Sequence, residues 1–106
     1  MTRLRLPNRR AHEILEFQFR GLAYTVGVGR YQDGALAEVF IECSKGQSQL
    51  AADARDAAVC LSIALQYGVP AEAIRGAVTR ESRGEPSGIV GAVLDLIDLL
   101  ESEGQA

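Results

Sequence analysis

From Leu15 to Val28 apolar and polar side chains alternate. Leu15, Phe17 and Phe19 alternate with Glu16, Gln18 and Arg20, and Leu22, Tyr24, Val26 and Val28 with Ala23, Thr25 and Gly27. A period of two places each apolar set on one face of a strand, so this half of the chain must build a sheet with one covered face. Arg20-Gly21 between the two runs reads as a tight turn. The stretch Gly29 to Gly34 ends in Asp33-Gly34, a pair that tolerates positive φ, and predicts a second hairpin. The third strand runs from Leu36 to Cys43. Val39 and Ile41 lie on one face and Leu36 and Phe40 on the other, around Glu38, which predicts a central or doubly contacted strand.

After Ser44-Lys45-Gly46 the period becomes helical. Ser48 is the expected N-cap, since its hydroxyl can accept from a backbone N–H of the first turn. Leu50, Ala54, Ala57, Leu61, Ala64 and Leu65 form one stripe that Val59 and Ile63 widen, predicting a helix buried nearly all round. Gly68 is placed to end it in the left-handed conformation. Pro70 opens a second helix as its first residue, with Ala71, Ile74, Ala77 and Val78 inward. A charged loop, Arg80 to Pro86, leads to Ser87, the expected cap of a third helix over Ile89–Glu101 that leaves only a narrow acidic face. The expected fold class is α+β: a three-stranded antiparallel meander followed by three helices packed on the sheet. Residues 1–13 read as a basic arm and residues 14–106 as a single domain.

A chain of 106 residues holds one domain of ordinary size, and a net charge of −3 argues against a broadly basic nucleic-acid binder. Arg3, Arg5, Arg9 and Arg10 nonetheless crowd the N-terminus. With no aromatic residues between them to stack bases, they predict a partner-docking arm, and nucleic acid is not the expected partner. The two cysteines, Cys43 and Cys60, form no CxxC pair, so no zinc site is expected and both read as reduced core thiols. Residues 1–20 lack a secretory apolar core and no run approaches a membrane span, so a cytoplasmic protein is expected.

Candidate chemistry is sparse. Ser44, Lys45, Gly46 and Ser48 precede a helix N-terminus, where unpaired N–H groups and the dipole favour an anion or nucleotide; the competing reading is a plain connection carrying an exposed lysine. His12 has no second ligand or nucleophile near it in sequence. Glu38 and Glu42 share a strand face, the spacing of paired carboxylates, though acid–base work would need them buried. No catalytic residue, metal ligand or cofactor is predicted.

Three pieces occur in order with short spacings: D-G-x-L-x-E-x-F over Asp33–Phe40, K-G-x-x-x-L from Lys45 to Leu50 and L-Q-Y-G-V-P over Leu65–Pro70. In these pieces, and across roughly Leu6 to Leu100, the chain resembles the C-terminal accessory region of adenosylcobalamin-dependent (class II) ribonucleotide reductases and the small free-standing proteins of the TSCPD-domain family. The resemblance implies a non-catalytic accessory module that binds a protein or nucleotide partner in deoxyribonucleotide metabolism. The alternatives are a reductase component acting in trans with a catalytic subunit and, on the arginine arm, a small nucleic-acid-associated regulator. The family's radical chemistry resides in a barrel several times longer than this chain, and Cys43 and Cys60 do not match its reducing pair. Where the free-standing relatives carry a signature cysteine, this chain reads Glu85-Pro86-Ser87-Gly88-Ile89. The apolar third helix, or an open sheet edge, predicts a homodimer.

Overall fold

Two turns set the register of the sheet. Arg20 and Gly21 take φ of 51° and 80°, the left-handed pair whose twist suits a two-residue hairpin. They fold β1 (Ala11–Phe19) onto β2 (Leu22–Arg30), with Phe19 opposite Leu22 and Leu15 opposite Val26. The second turn closes as Gly34 donates to Tyr31 O and Tyr31 donates to Ala35 O, both at 2.9 Å. Asp33 Oδ1 accepts from Ala35 N at 2.9 Å, and Gly34 sits at φ 90°, where a side chain would be strained. β3 (Leu36–Cys43) then pairs antiparallel with β2. The computed structural model describes residues 2–4 and 11–104; Arg5, Arg9 and Arg10 lie outside them.

The sheet order is β1-β2-β3; of the two readings of β3, central or doubly contacted, this corrects the first, while β2 and α1 do contact the strand on its two sides. β2 holds the central place and β3 is an edge. Its apolar residues on both faces are misleading: Ala37, Val39, Ile41 and Cys43 are buried toward the helices, whereas Phe40 is 49% exposed on the opposite face. Phe40 there lies over Gly27, where an added Cβ would sit 3.4 Å from its ring. Glu38 likewise lies over Gly29 and is buried.

Helix α1 (Gln49–Gln66) covers the outer side of β3. Ser48 caps it as expected, its hydroxyl accepting from Ala51 N at 3.1 Å. Ser62 Oγ accepts from Val39 N at 2.9 Å and donates to Val39 O at 3.0 Å. One turn on, Gln66 Nε2 donates to Ala37 O at 3.1 Å. Three backbone groups that an edge strand would leave open are thereby satisfied. The helix stops in a Schellman arrangement: Val69 N donates to Ala64 O and Gly68 N to Leu65 O, both at 3.0 Å, with Gly68 at φ 92°.

Burial along α1 is narrower than its composition predicts. Ala51, Ala54, Ala58, Leu61, Leu65 and Gln66 are buried, but Leu50, Val59 and Ile63 are exposed. Covering one strand edge uses one face of a helix, so the other stays in solvent. Cys60 falls on that face and is exposed, correcting its reading as a core thiol; Cys43 is buried. Pro70 is the N-cap of α2 (Ala71–Ala77) and not its first residue, and Ala77 points to solvent. α3 (Ile89–Gly104) buries Ala92, Val93, Leu94 and Ile97, while Leu99 and Leu100 are exposed at its end. Ser87 precedes it, but its hydroxyl donates to Glu81 Oε2 at 2.7 Å, and the first helical bond, Ala92 N to Gly88 O, starts one residue later.

Charged pairs join the outer elements. Arg30 on β2 reaches Glu13 on β1 at 3.1 Å, Gly34 O in the turn at 3.0 Å and Glu101 on α3 at 2.9 Å. Arg80 holds Asp95 with two bonds of 2.8 and 2.9 Å, and Arg75 adds a third at 2.7 Å. The Arg80 bonds, reinforced by Arg75, hold the Asp95 carboxyl at about 2 despite its partial desolvation. Because that value lies below the ordinary 3.8, the cluster stabilises the fold above roughly pH 4 and its contribution disappears as pH falls through the folded-state value.

Two outcomes are expected. Ser62→Ala should cost about 1–3 kcal/mol in urea unfolding, because both backbone groups of Val39 lose their partner in a part-buried site. Asp95→Asn should cost on the order of 1–2 kcal/mol near neutral pH, discounted for a side chain 29% exposed. The gap between Asp95→Asn and wild type should begin to close at about pH 5 and go on closing as pH falls through about 2; a gap independent of pH would show that the charge is not what Asp95 contributes.

Candidate functional site

Two of the three sequence pieces meet in space. The turn carrying Asp33-Gly34 and the helix end Leu65-Gln66-Tyr67-Gly68-Val69-Pro70 flank one cavity of about 570 Å³. β2 and β3 position the first wall and the Schellman stop of α1 the second. Thr2 and Leu4 line a third side. This short segment is tied down at three points. Leu4 N donates to Gln66 O at 2.8 Å, Tyr31 Oη donates to Leu4 O at 2.7 Å, and Arg3 Nε donates to Gln66 Oε1.

Gln66 is the hub. Its amide oxygen accepts from Arg3, its amide nitrogen donates to β3, and its backbone oxygen accepts from Leu4. A buried glutamine costs stability unless its amide is satisfied, and here both ends are used. Beside Thr2, Tyr31 and Asp33 the lining is mostly apolar, with Leu4, Leu36, Leu65, Val69 and Pro70, and Tyr67 and Val69 are partly open to solvent. Burial pushes the Tyr31 hydroxyl above its ordinary pKa, with Arg3 opposing and Glu38 and Asp33 adding to the shift. Asp33 is the carboxylate of the wall, with one oxygen engaged by Ala35 N. Such a surface suits docking of an apolar group beside a single acid. It brings together no nucleophile and base.

The predicted anion site lies elsewhere. Ser44, Lys45 and Gly46 are exposed at the start of α1, some ~27 Å along that helix from Arg3. Much of their polar capacity is spent locally. Ser44 N donates to Ala23 O at 3.0 Å, Ser48 N donates to Lys45 O at 2.9 Å, and Gly46 O accepts from Arg55 at 3.4 Å. Ser48 uses its hydroxyl as the helix cap. The loop and Arg3 thus do not share one site, and of the four arginines the structure describes only Arg3. Glu38 is buried while Glu42 is exposed beside Arg55 at 3.6 Å, so the two carboxylates do not share an environment. Among the described residues, no group of three or more His, Cys, Asp or Glu is placed to hold a metal ion.

Sequence reasoning missed Ser62, Gln66, Tyr31 and the Arg75–Arg80–Asp95 cluster. For Ser62 and Gln66 a signal existed: two polar residues four apart inside an apolar helix share one face. No comparable local signal marks Tyr31.

The chain is similar to known proteins over most of its length. The chain is 34% identical over 88 residues to the vitamin B12-dependent ribonucleotide reductase of Agrobacterium fabrum, which covers 83% of this chain and 7% of that protein. It is 36% identical over 88 residues to the enzyme of the same description from Streptantibioticus cattleyicolor, covering 83% of this chain and 14% of that one. With the Rhodopirellula baltica protein it shares 37% over 86 residues, 81% of this chain and 8% of the relative. No family model and no solved structure matches the chain. The chain spans at most about a seventh of each of these relatives, and over most of its own length it is a homologue of one short segment of the vitamin B12-dependent ribonucleotide reductases.

Proposed function

We propose that this protein is a non-catalytic accessory module that binds a protein partner in deoxyribonucleotide metabolism, through the cavity between the Asp33-Gly34 turn and the end of α1. The observation that carries this reading is the convergence on one apolar cavity of two stretches through which the chain resembles a reductase segment. The wall is built for docking, with apolar side chains and a single carboxylate. The relatives named as reductases are roughly seven- to fourteen-fold longer than the matched part, which supports a partner that supplies the catalytic machinery. On this reading the work is done in the cytoplasm by residues 14–106 as one unit, with the basic arm as a second docking element. No described helix is long and apolar enough to cross a membrane.

A nucleotide partner is the second form of the proposal. The helix N-terminus behind Ser44, Lys45, Gly46 and Ser48 favours an anion, and Lys45 is exposed beside it.

The isolated protein should reduce no ribonucleotide when supplied with adenosylcobalamin and a thiol reductant. Turnover that survives repurification would replace the accessory reading with a catalytic one. Mixed with a vitamin B12-dependent reductase chain from the same organism, it should co-elute on gel filtration, and Val69→Asp should abolish co-elution while leaving the circular dichroism spectrum unchanged. Co-elution unaffected by Val69→Asp would move the docking surface away from the cavity. If the loop binds a nucleotide, Lys45→Ala should weaken that binding by roughly 1.5–3 kcal/mol in calorimetry; absence of binding by the wild type at millimolar nucleotide would leave the loop a connector.

A further inference from the structure

The two edges of the sheet are finished differently. On β3, Ser62 and Gln66 occupy the outward groups of Val39 and Ala37. On β1 nothing equivalent is found among the described residues. The closing pair Phe19–Leu22 of a two-residue hairpin is hydrogen-bonded, so bonding alternates back along the strand and the N–H and C=O groups of Ile14, Glu16 and Gln18 point away from β2. β1 is nine residues long, contains no proline and keeps an unbroken register with β2. It therefore lacks the proline and the bulge that commonly blunt an edge. Ile14 is 67% exposed. Leu15, Phe17 and Phe19 on the helix side are only half-buried, and a hollow of about 220 Å³ lies under the strand between Leu15 and Leu100.

We propose that the free edge of β1 pairs with the same edge of a second copy of this chain, antiparallel and centred on Ile14, to form a six-stranded sheet across a two-fold axis. Closure favours a second copy as the occupant. Pairing β1 with β1 leaves two β3 strands as the outer edges, each already clasped by its own α1, so the sheet ends with no open edge and growth stops at two chains. A different protein would cover one β1 and bring an edge of its own. Charge fixes the register. Centring on Glu16 sets two carboxylates directly opposite, which is destabilising. Moving the centre to Ile14 sets Ile14 against Ile14, brings Glu16 opposite position 12, which is His12, and separates the two Glu16 residues by four strand positions, ~13 Å. Glu13, the other acidic residue near this edge, is already held by Arg30 on its own chain. The inference is independent of the accessory reading, because it rests on the sheet edge and not on the cavity.

Sedimentation equilibrium should report twice the 11.4 kDa chain mass. Glu16→Pro removes an N–H that points away from β2, so it should leave the hairpin's circular dichroism intact while weakening dimerisation by about tenfold or more. A nitroxide on Gln18→Cys, in a Cys60→Ser background, gives a readout that does not depend on that variant. The Ile14-centred register places the two labelled positions eight residues apart, ~27 Å, against ~13 Å for the Glu16-centred one. A monomer at all concentrations, a dimer whose Gln18 labels lie at the shorter distance, or a dimer whose Gln18 labels show no pulsed dipolar coupling near ~27 Å would each overturn the proposal.

Discussion

The hydroxyl of Ser62 acts toward Val39 as both donor and acceptor, as a neighbouring strand would. With Gln66 one turn later, it lets a helix finish a sheet edge that an antiparallel meander leaves open. Most of the architecture follows from that clasp. It fixes the rotation of α1, so that Ala54, Ala58, Leu61 and Leu65 face Val39 and Ile41. It decides that Cys60, Val59 and Ile63 face solvent. It also places the C-terminal end of α1 beside the Asp33-Gly34 turn, which creates the cavity. Small alanines on the docking face allow close approach of helix to strand; larger residues there would hold the hydroxyl out of reach.

Periodicity and turn chemistry carried the reading of the fold because both are local. Alternation located β1 and β2, Asp33-Gly34 located the second turn, and Ser48 and Gly68 bounded α1. Strand order and edge character are not local. Phe40 and Val39 look equivalent in a pattern of apolar residues, yet one faces the helices and the other covers Gly27. Nothing in an eight-residue window tells a central strand from an edge that a helix clasps. Ser87 shows the same limit on a smaller scale: it stands where a cap belongs, but its hydroxyl is engaged as a donor to a carboxylate from the preceding loop.

The candidate site was half readable for a related reason. Both sequence pieces can be explained by backbone geometry alone, Asp33-Gly34 as a turn with an aspartate acceptor and Leu65–Pro70 as a Schellman stop followed by a proline cap. Either piece alone implies no function. Only the fold brings them to one cavity, and it does so through Gln66, which belongs to the second piece and bonds to Ala37 O within the first. The segment of Thr2 to Leu4 enters through long-range bonds, 63 residues apart in the case of Arg3 and Gln66, and such pairings leave no mark in a single sequence.

The helical layer follows a different logic from the sheet. α2 has no fully buried residue and α3 turns Val93, Leu94 and Ile97 into the core, so the short helix is held chiefly by its neighbours. Arg75 at its end and Arg80 after it both bind Asp95 on α3, and Arg80 also donates to Arg75 O at 3.2 Å. A seven-residue helix is too short to persist by propensity, and an apolar contact of that size specifies little direction. A bidentate arginine–carboxylate pair does specify direction. The cluster thus fixes how α2 departs from Pro70, and with it the wall of the cavity that Ala71 lines. Charge at one end of the domain and a serine clasp along the sheet edge hold the same cavity from two sides, so loss of either should loosen the cavity wall before it unfolds the core.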